Sequence, residues 1–119
     1  VDLAMGHVNV IWQGDANAQV LRCLRHATTP TTPINCTGSE VLSVRALAQR
    51  FGERLGKAPR FAGEEGATAL LSNTTAAQGL CGQPLVPLER MLDWVADWVA
   101  RGGPTYNKPT KFEVRDGGF

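Results

Sequence analysis

The side chains of this sequence that could do chemistry are few and stand far apart. The three cysteines are Cys23, Cys36 and Cys81, and the two histidines are His7 and His26. Cys23 and His26 have the spacing of half a structural zinc site, but such a site needs four clustered ligands and the other candidates are scattered. The sequence therefore predicts no metal site. The odd number of cysteines predicts reduced, mostly buried thiols in a cytoplasmic protein rather than a disulfide framework.

The signatures of nicotinamide-dependent catalysis are also missing. The only tyrosine, Tyr106, is followed four positions later by Thr110, so the chain contains no Tyr-x-x-x-Lys pair. A dinucleotide fingerprint needs glycines between a strand and a helix, so that the backbone can approach a pyrophosphate. The glycines of residues 63–66 and 79–82 have neither that spacing nor that setting. The sequence predicts no catalytic residue and no cofactor bound by this chain.

Length, charge and hydropathy exclude several classes of partner. The 119 residues are enough for one domain and too few for two. Twelve basic and eleven acidic residues give a net charge of +1, which offers no basic surface for nucleic acid. No apolar run is long enough to span a bilayer, and no basic stretch precedes an apolar one as in a signal peptide. The expected partners include neither nucleic acid nor a membrane.

The first elements that must position the polar residues are a strand and a helix. Alternating apolar residues predict a strand over residues 8–13. Asp15 then has the place of an N-cap for a helix that continues to about His26. Helical spacing predicts that the buried face of this helix contains Ala16, Val20, Leu24 and Ala27.

A second strand and helix follow a threonine-rich and proline-rich breaker. The strand is predicted at residues 34–36 and the helix at residues 44–55, with Ser43 as its N-cap. Gly56 stands where a left-handed C-terminal cap belongs. A brief extended segment is predicted at residues 60–61.

Two further helices complete the pattern. The first begins at Asn73 or Thr74 and ends near Gly82, and the second follows Pro87 and ends at residues 102–103. Two or three short strands cannot form a stable sheet alone, because isolated two-stranded pairing is marginal. The pattern therefore predicts a mainly helical α/β fragment that completes its sheet elsewhere.

Three stretches of the chain, at residues 10–16, 34–48 and 71–94, carry a family likeness. The first looks like a strand that ends in an acidic pair and opens a helix, although Gly14 takes one place and only Asp15 of the pair remains. In this order and spacing, the three stretches resemble the extended short-chain dehydrogenase/reductase family of sugar epimerases and dehydratases. The resemblance covers nearly the whole chain, and no single motif in it is decisive.

The resemblance implies that residues 1–103 are the C-terminal, substrate-binding portion of a Rossmann-type epimerase/dehydratase, followed by a tail at residues 104–119. In the family, the nucleotide-binding domain that holds NAD or NADP and the catalytic tyrosine and lysine precede this portion. The chain alone is then catalytically incomplete, and the implied partners are that N-terminal domain and a nucleotide sugar or related substrate. A homo-oligomer is expected of the isolated chain, because uncovered apolar surface favours association. The alternative is a free-standing interaction or scaffold module with the same architecture.

Five residues are candidates for substrate binding: Asp15, Asn35, Thr37, Arg45 and Arg60. Asp15 either shapes the substrate pocket or only caps its helix. Asn35 and Thr37 bracket a predicted strand end, where open α/β sheets place ligands, but a turn there needs polar residues anyway. Arg45 lies in a first helical turn, which disfavours a cation, so it either contacts a carboxylate or phosphate or is a solvated surface side chain. Arg60 is a candidate through the resemblance alone, since basic residues of the family's substrate domain hold the diphosphate.

Overall fold

The computed structural model describes residues 1–108, and within them the chain is a small, mainly helical α/β fold. The part of the predicted tail from residue 109 to residue 119 lies outside the described residues. The elements in chain order are strand β1 (His7–Val8), helix α1 (Gln13–Cys23), a 3₁₀ turn (Leu24–His26), strand β2 (Leu42–Ser43), and helices α2 (Val44–Leu55), α3 (Thr75–Cys81) and α4 (Leu88–Ala100).

The small sheet differs from the one that the sequence predicts. Strands β1 and β2 pair antiparallel, with His7 opposite Ser43 and Val8 opposite Leu42. The strand predicted over residues 8–13 stops at Val8, and the strand predicted at residues 34–36 is irregular backbone. Extended backbone becomes a strand only where a neighbour supplies a hydrogen-bonding ladder, and within residues 1–108 neither residues 9–13 nor residues 34–36 have such a neighbour.

A second extended pairing joins the start of the chain to the segment after α2. Asp2 and Ala62 form a parallel bridge, in which the Leu3 amide donates to the Ala62 carbonyl at 3.0 Å. The extended segment predicted at residues 60–61 is thus found one residue later. The pairing places Leu3 and Met5 in the core, where both are buried.

Helix α2 follows its sequence pattern closely. The Ser43 hydroxyl accepts a hydrogen bond from the Ala46 amide at 3.2 Å, and Ser43 itself has an extended backbone. At the other end Gly56 has a φ of 63°, a left-handed conformation that costs glycine little. The predicted N-cap, C-cap and bounds of this helix are confirmed.

Loss of the Ser43 cap has a measurable cost. We expect Ser43→Ala to lower the free energy of unfolding by about 1 kcal/mol, because the Ala46 amide loses its partner at the helix N-terminus. Urea denaturation followed by circular dichroism would measure the change. Ser72→Ala, in an exposed loop, is the matched control and should change stability by less than about 0.5 kcal/mol. Equal effects of the two substitutions would contradict the role of the cap.

Helix α4 packs against α2 and is joined to it by ion pairs. Arg54 of α2 donates to Glu89 at 2.6 Å and to Asp93 at 2.9 Å, both on α4. Beneath these charges, Leu92 and Ala96 of α4 are buried. The start of α4 immediately follows Pro87 as predicted, and the helix ends at Ala100, just before the two glycines at residues 102–103 that were predicted to terminate it.

Helix α1 buries a different face from the one that the sequence predicts. It begins at Gln13, so Asp15 lies inside the first turn and is not the N-cap; that position is held by Trp12. The buried residues of the helix are Asp15 and Gln19, whereas Val20 is 56% exposed and Leu24, in the 3₁₀ turn, is 70% exposed. The predicted apolar buried face is therefore wrong. Periodicity locates the apolar face of a helix, but it does not show whether that face packs against the rest of the chain or is exposed.

The apolar core of the described residues is correspondingly small. Its seven buried members are Leu3, Met5, Val44, Ala77, Cys81, Leu92 and Ala96. Fifteen large hydrophobic residues are exposed, among them Val20 and Leu21 of α1. No helix within residues 1–108 has both the length and the apolarity that a membrane crossing requires.

Candidate functional site

The candidate site is a cleft where three separate segments of the chain meet. Its lining comes from residues 10–11, residues 38–42 and residues 83–91, and its volume is about 170 Å³. These segments are far apart in sequence, so the fold alone brings them together.

One wall of the cleft is held by the Asn9 side chain and by a close approach of Gly38 to the backbone of Val10. The Asn9 side chain donates to the Glu40 carbonyl at 2.9 Å and accepts from the Ser72 amide at 2.9 Å, which ties two loops to the end of β1. Gly38 lies directly against the Val10 carbonyl oxygen, and any Cβ at position 38 would overlap that oxygen. This wall therefore requires glycine at position 38.

The opposite wall is held by the polar face of α1. One carboxylate oxygen of Asp15 accepts from the Leu85 amide at 3.0 Å and from the Val86 amide at 2.8 Å. One and two turns later, Gln19 donates to the Gly82 carbonyl at 3.0 Å and Arg22 donates to the Cys81 carbonyl at 3.1 Å. Asp15 thus shapes the cleft indirectly, by fixing the backbone of its wall.

The chemistry of the lining suits an uncharged, hydroxyl-rich group. Its polar side chains are those of Ser39, Glu40 and Gln83, and apolar residues such as Ile11 and Met91 make up most of the rest. A carboxylate, a hydroxyl and an amide can all hydrogen-bond to sugar hydroxyls. None of the residues that the structure places around the cleft is a lysine or arginine, so a phosphate would find no counter-charge there.

The size of the cleft limits what it can hold. Pockets that enclose a whole small-molecule ligand have volumes of about 300–1,000 Å³. At about 170 Å³, this cleft is smaller than such a pocket and can enclose only part of a ligand of that size.

Asn35 and Thr37 lie beside this cleft and do not line it. The Asn35 side chain is exposed and donates to the Asn73 carbonyl at 3.3 Å, which joins its loop to the start of α3. Thr37 is half-buried and immediately precedes Gly38. Both residues position the loop that forms the first wall.

Arg45 and Arg60 belong to a different part of the surface. The Arg45 guanidinium pairs with Glu65 at 2.8 Å and stacks on the Phe61 ring at 4.7 Å from its centroid. Of the alternatives for Arg45, the structure thus gives contact with a carboxylate. Arg60 is exposed, and its backbone carbonyl accepts from the Val1 nitrogen at 2.6 Å. Neither arginine lines the cleft, so the five predicted residues do not form one site.

The three cysteines, which are scattered in the sequence, come together in the fold. The Cys23 sulfur lies 2.9 Å from the Cys81 sulfur and 3.9 Å from the Cys36 sulfur. All three are free thiols; Cys81 is buried and the other two are half-buried. The hydrogen bond with Cys23, together with burial, raises the pKa of the Cys81 thiol above its usual value. Sequence spacing gave no indication of this cluster, because it depends on the contact between α1 and α3.

Residues 1–108 contain no group of three or more histidine, cysteine, aspartate or glutamate side chains arranged to hold a metal ion. A half-exposed aromatic surface lies elsewhere, where Trp12 meets Trp94 edge to face at 4.9 Å between ring centroids. Trp98, one turn after Trp94, is 46% exposed and donates to the Pro104 carbonyl at 3.2 Å.

Within residues 1–108 the fold is a small, mainly helical α/β fold with a two-stranded sheet. No family model, curated protein or solved structure matches the chain.

Proposed function

We propose that this chain is the substrate-side, C-terminal portion of a Rossmann-type, NAD(P)-dependent nucleotide-sugar epimerase or dehydratase of the cytoplasm. In this proposal its cleft holds the sugar of the substrate. A nucleotide-binding domain outside this chain supplies the cofactor, the catalytic tyrosine and lysine, and the rest of the pocket.

The orientation of α1 is the observation that carries the proposal. Its polar residues Asp15, Gln19 and Arg22 face the chain's own backbone at residues 81–86, while Leu21 is 67% exposed. A helix that faces its own chain with polar residues and exposes apolar residues such as Leu21 is stabilised when another body covers the exposed side. A parallel sheet of a nucleotide-binding domain is such a body, since helices cover both of its faces.

The composition of the cleft supports binding of the sugar inside it and of the diphosphate outside it. The cleft has Glu40 and two uncharged polar side chains but no basic residue in its described lining, which favours the sugar over the diphosphate. The diphosphate would then be held by groups outside the cleft, and Arg60 remains the exposed cation proposed for it.

Calorimetric titration of the chain tests this proposal. We expect UDP-glucose to bind weakly, with a dissociation constant of about 1 mM, because only part of the ligand is enclosed. UDP alone should bind more weakly still, and NADH should show no binding at that concentration. NADH binding at micromolar concentrations would sink the proposal, since the cofactor site should lie outside this chain.

The Glu40 carboxylate offers a sharper test of the same site. We expect Glu40→Gln to weaken UDP-glucose binding about tenfold, because a charge-assisted hydrogen bond to a hydroxyl becomes a neutral one. Glu64→Gln, in an exposed loop away from the cleft, is the matched control and should leave the affinity unchanged. Equal losses in the two variants would show that the cleft does not hold the sugar.

The exposed tryptophans favour a second candidate, a free-standing interaction module. Trp94 and Trp98 are 41% and 46% exposed, and tryptophan is enriched where proteins bind one another. A chain that binds a protein partner through these rings and shows no sugar binding would favour the module over the enzyme part.

The isolated chain should self-associate through the outer face of α1. We expect a dimer by light scattering at high protein concentration, and we expect Leu21→Lys to raise its dissociation constant at least about tenfold, because it places a charge in an apolar contact. Gln49→Lys adds the same charge at an exposed position of α2, away from the outer face of α1, and should leave the dimer intact. A wild-type chain that stays monomeric at every concentration would refute this expectation.

A further inference from the structure

The cysteine cluster joins three separate segments of the chain. Cys23 ends α1, Cys81 ends α3, and Cys36 lies in the loop between the 3₁₀ turn and β2. Cys23 is central, with its sulfur 2.9 Å from that of Cys81 and 3.9 Å from that of Cys36. A disulfide needs only a short further approach of either pair.

Hydrogen bonds on two sides hold the segments in place. Gln19 and Arg22, on the same face of α1 as Cys23, donate to the carbonyls of Gly82 and Cys81 at 3.0 and 3.1 Å. On the other side, Asn35 donates to the Asn73 carbonyl just before α3. The sulfurs therefore meet because the backbone around them is fixed, and their proximity is a property of the fold.

Accessibility sets the order in which the thiols react. Cys23 and Cys36 are half-buried, whereas Cys81 is 4% exposed. The hydrogen bond with Cys23 and burial raise the pKa of Cys81 and keep it protonated, against the opposing charges of Arg22 and Arg25. Since a thiolate is the attacking form, Cys81 is a poor first nucleophile and is placed to react second.

We propose that Cys23, Cys36 and Cys81 form a thiol–disulfide exchange site in which Cys23 is the sulfur shared by two alternative disulfides. The ligand is a low-molecular-weight disulfide, RSSR. The site is independent of the sugar cleft and of the function proposed for it.

The exchange occurs in two balanced steps. The Cys23 thiolate attacks one sulfur of RSSR, which forms a Cys23–SR mixed disulfide and releases RS⁻; this anion takes up the proton that Cys23 lost. Cys81 then attacks the Cys23 sulfur, which forms the Cys23–Cys81 bond and expels the second RS⁻, and that anion takes the proton of Cys81. Two thiols of the protein are oxidised, and one RSSR is reduced to two RSH.

Cys36 gives the site a second state. Its thiolate can attack the Cys23 sulfur of the Cys23–Cys81 bond, which forms Cys23–Cys36 and returns Cys81 to the thiol with the proton lost by Cys36. The first disulfide ties α1 covalently to the end of α3, and the second leaves α3 without a covalent tie to α1.

Chain statistics provide the decisive comparison. Cys23 and Cys36 are 13 residues apart and Cys23 and Cys81 are 58 apart, so loop closure in the unfolded chain favours Cys23–Cys36 about tenfold. In the folded chain we expect the opposite preference, with Cys23–Cys81 as the first disulfide to form, because those two sulfurs are the closer pair. Trypsin leaves the three cysteines on separate peptides, at residues 23–25, 26–45 and 61–90, so each disulfide has its own mass.

The experiment treats the full chain with oxidised glutathione, quenches it in acid at short times, and maps the disulfides by mass spectrometry. In buffer we expect Cys23–Cys81 to form first, and in concentrated guanidinium chloride we expect Cys23–Cys36 instead. The same product ratio in both solvents, or glutathione adducts alone in buffer, would overturn the proposal.

Two cysteine variants test the proposal further, and circular dichroism distinguishes a change in disulfide pairing from a loss of folding. Cys81→Ser should redirect the folded chain to Cys23–Cys36, and Cys23→Ser should abolish the intramolecular disulfide and leave glutathione on Cys36. Circular dichroism shows whether each variant is folded. A Cys36–Cys81 bond in folded Cys23→Ser, at the wild-type rate, would show that Cys23 is not the shared sulfur.

Discussion

Replacing Asp15 by alanine should lower the free energy of unfolding by about 2–3 kcal/mol, although a carboxylate on the first turn of a helix is usually worth far less. The reason is that Asp15 is buried and accepts charge-assisted hydrogen bonds from the Leu85 and Val86 amides, at 3.0 and 2.8 Å. Hydrogen bonds to a charged group contribute about 1.5–3 kcal/mol, and their loss leaves a part-buried amide without its partner. Urea denaturation would measure the loss.

The same change should release the wall of the cleft. We expect hydrogen exchange of the Leu85 and Val86 amides to accelerate in Asp15→Ala, because the carboxylate is what holds that backbone to α1. Asp97→Ala is the matched control, since Asp97 forms an exposed i,i+4 pair with Arg101 and such pairs are worth less than about 1 kcal/mol. If Asp15→Ala costs no more than Asp97→Ala, Asp15 does not fix the wall.

The second large effect is expected at Gly38. A methyl group on Gly38 would overlap the Val10 carbonyl oxygen, so Gly38→Ala must push the two loops apart. Overpacking of this kind costs about 1–3 kcal/mol, and at a backbone atom that cannot rotate away we expect a value near the upper end. The displacement would also change the shape of the cleft, so UDP-glucose binding should be lost along with stability.

Gly79 provides the control for this substitution. A Cβ at Gly79, within α3, would meet no atom within 4 Å. Gly79→Ala should therefore raise the free energy of unfolding by about 0.5–1 kcal/mol, because alanine favours the helix over the unfolded chain. Denaturation curves that move in opposite directions would confirm the contact at Gly38; curves that move together would contradict it.

The elements that the sequence predicts well are those whose signals are local. The cap at Ser43 and the left-handed Gly56 bound α2, and Pro87 with the glycines after Ala100 bound α4, all as predicted. Capping depends on residues within one turn of each other, so no distant part of the chain can override it.

The failures involve partners that are distant in sequence. Of the two predicted strands, residues 9–13 and 34–36 lack a neighbouring strand within residues 1–108, and only Val8 of the first is paired. Asp15 fits the local signal of an N-cap, but its carboxylate bonds to backbone 70 and 71 residues away. Of the candidate site, the sequence located Asp15 and the loop around Thr37, but it could not separate them from Arg45 and Arg60.

The sequence does not predict that Cys23, Cys36 and Cys81 lie together, again because the partners are distant in sequence. Cys23 and Cys81 are 58 positions apart with no spacing motif, and only the packing of α3 on α1 closes the distance. A scattered set of reactive side chains in a sequence is thus no argument that they remain apart.

The two-faced character of α1 has a practical consequence for anyone who grafts this chain onto a new host domain. Asp15, Gln19 and Arg22 bind the chain's own backbone, so these positions must be retained in every chimera. Val20 and Leu21 are 56% and 67% exposed, so they are the positions to redesign when a host domain is to cover this side of the helix. A library of chimeras would therefore keep Asp15, Gln19 and Arg22 and vary Val20 and Leu21.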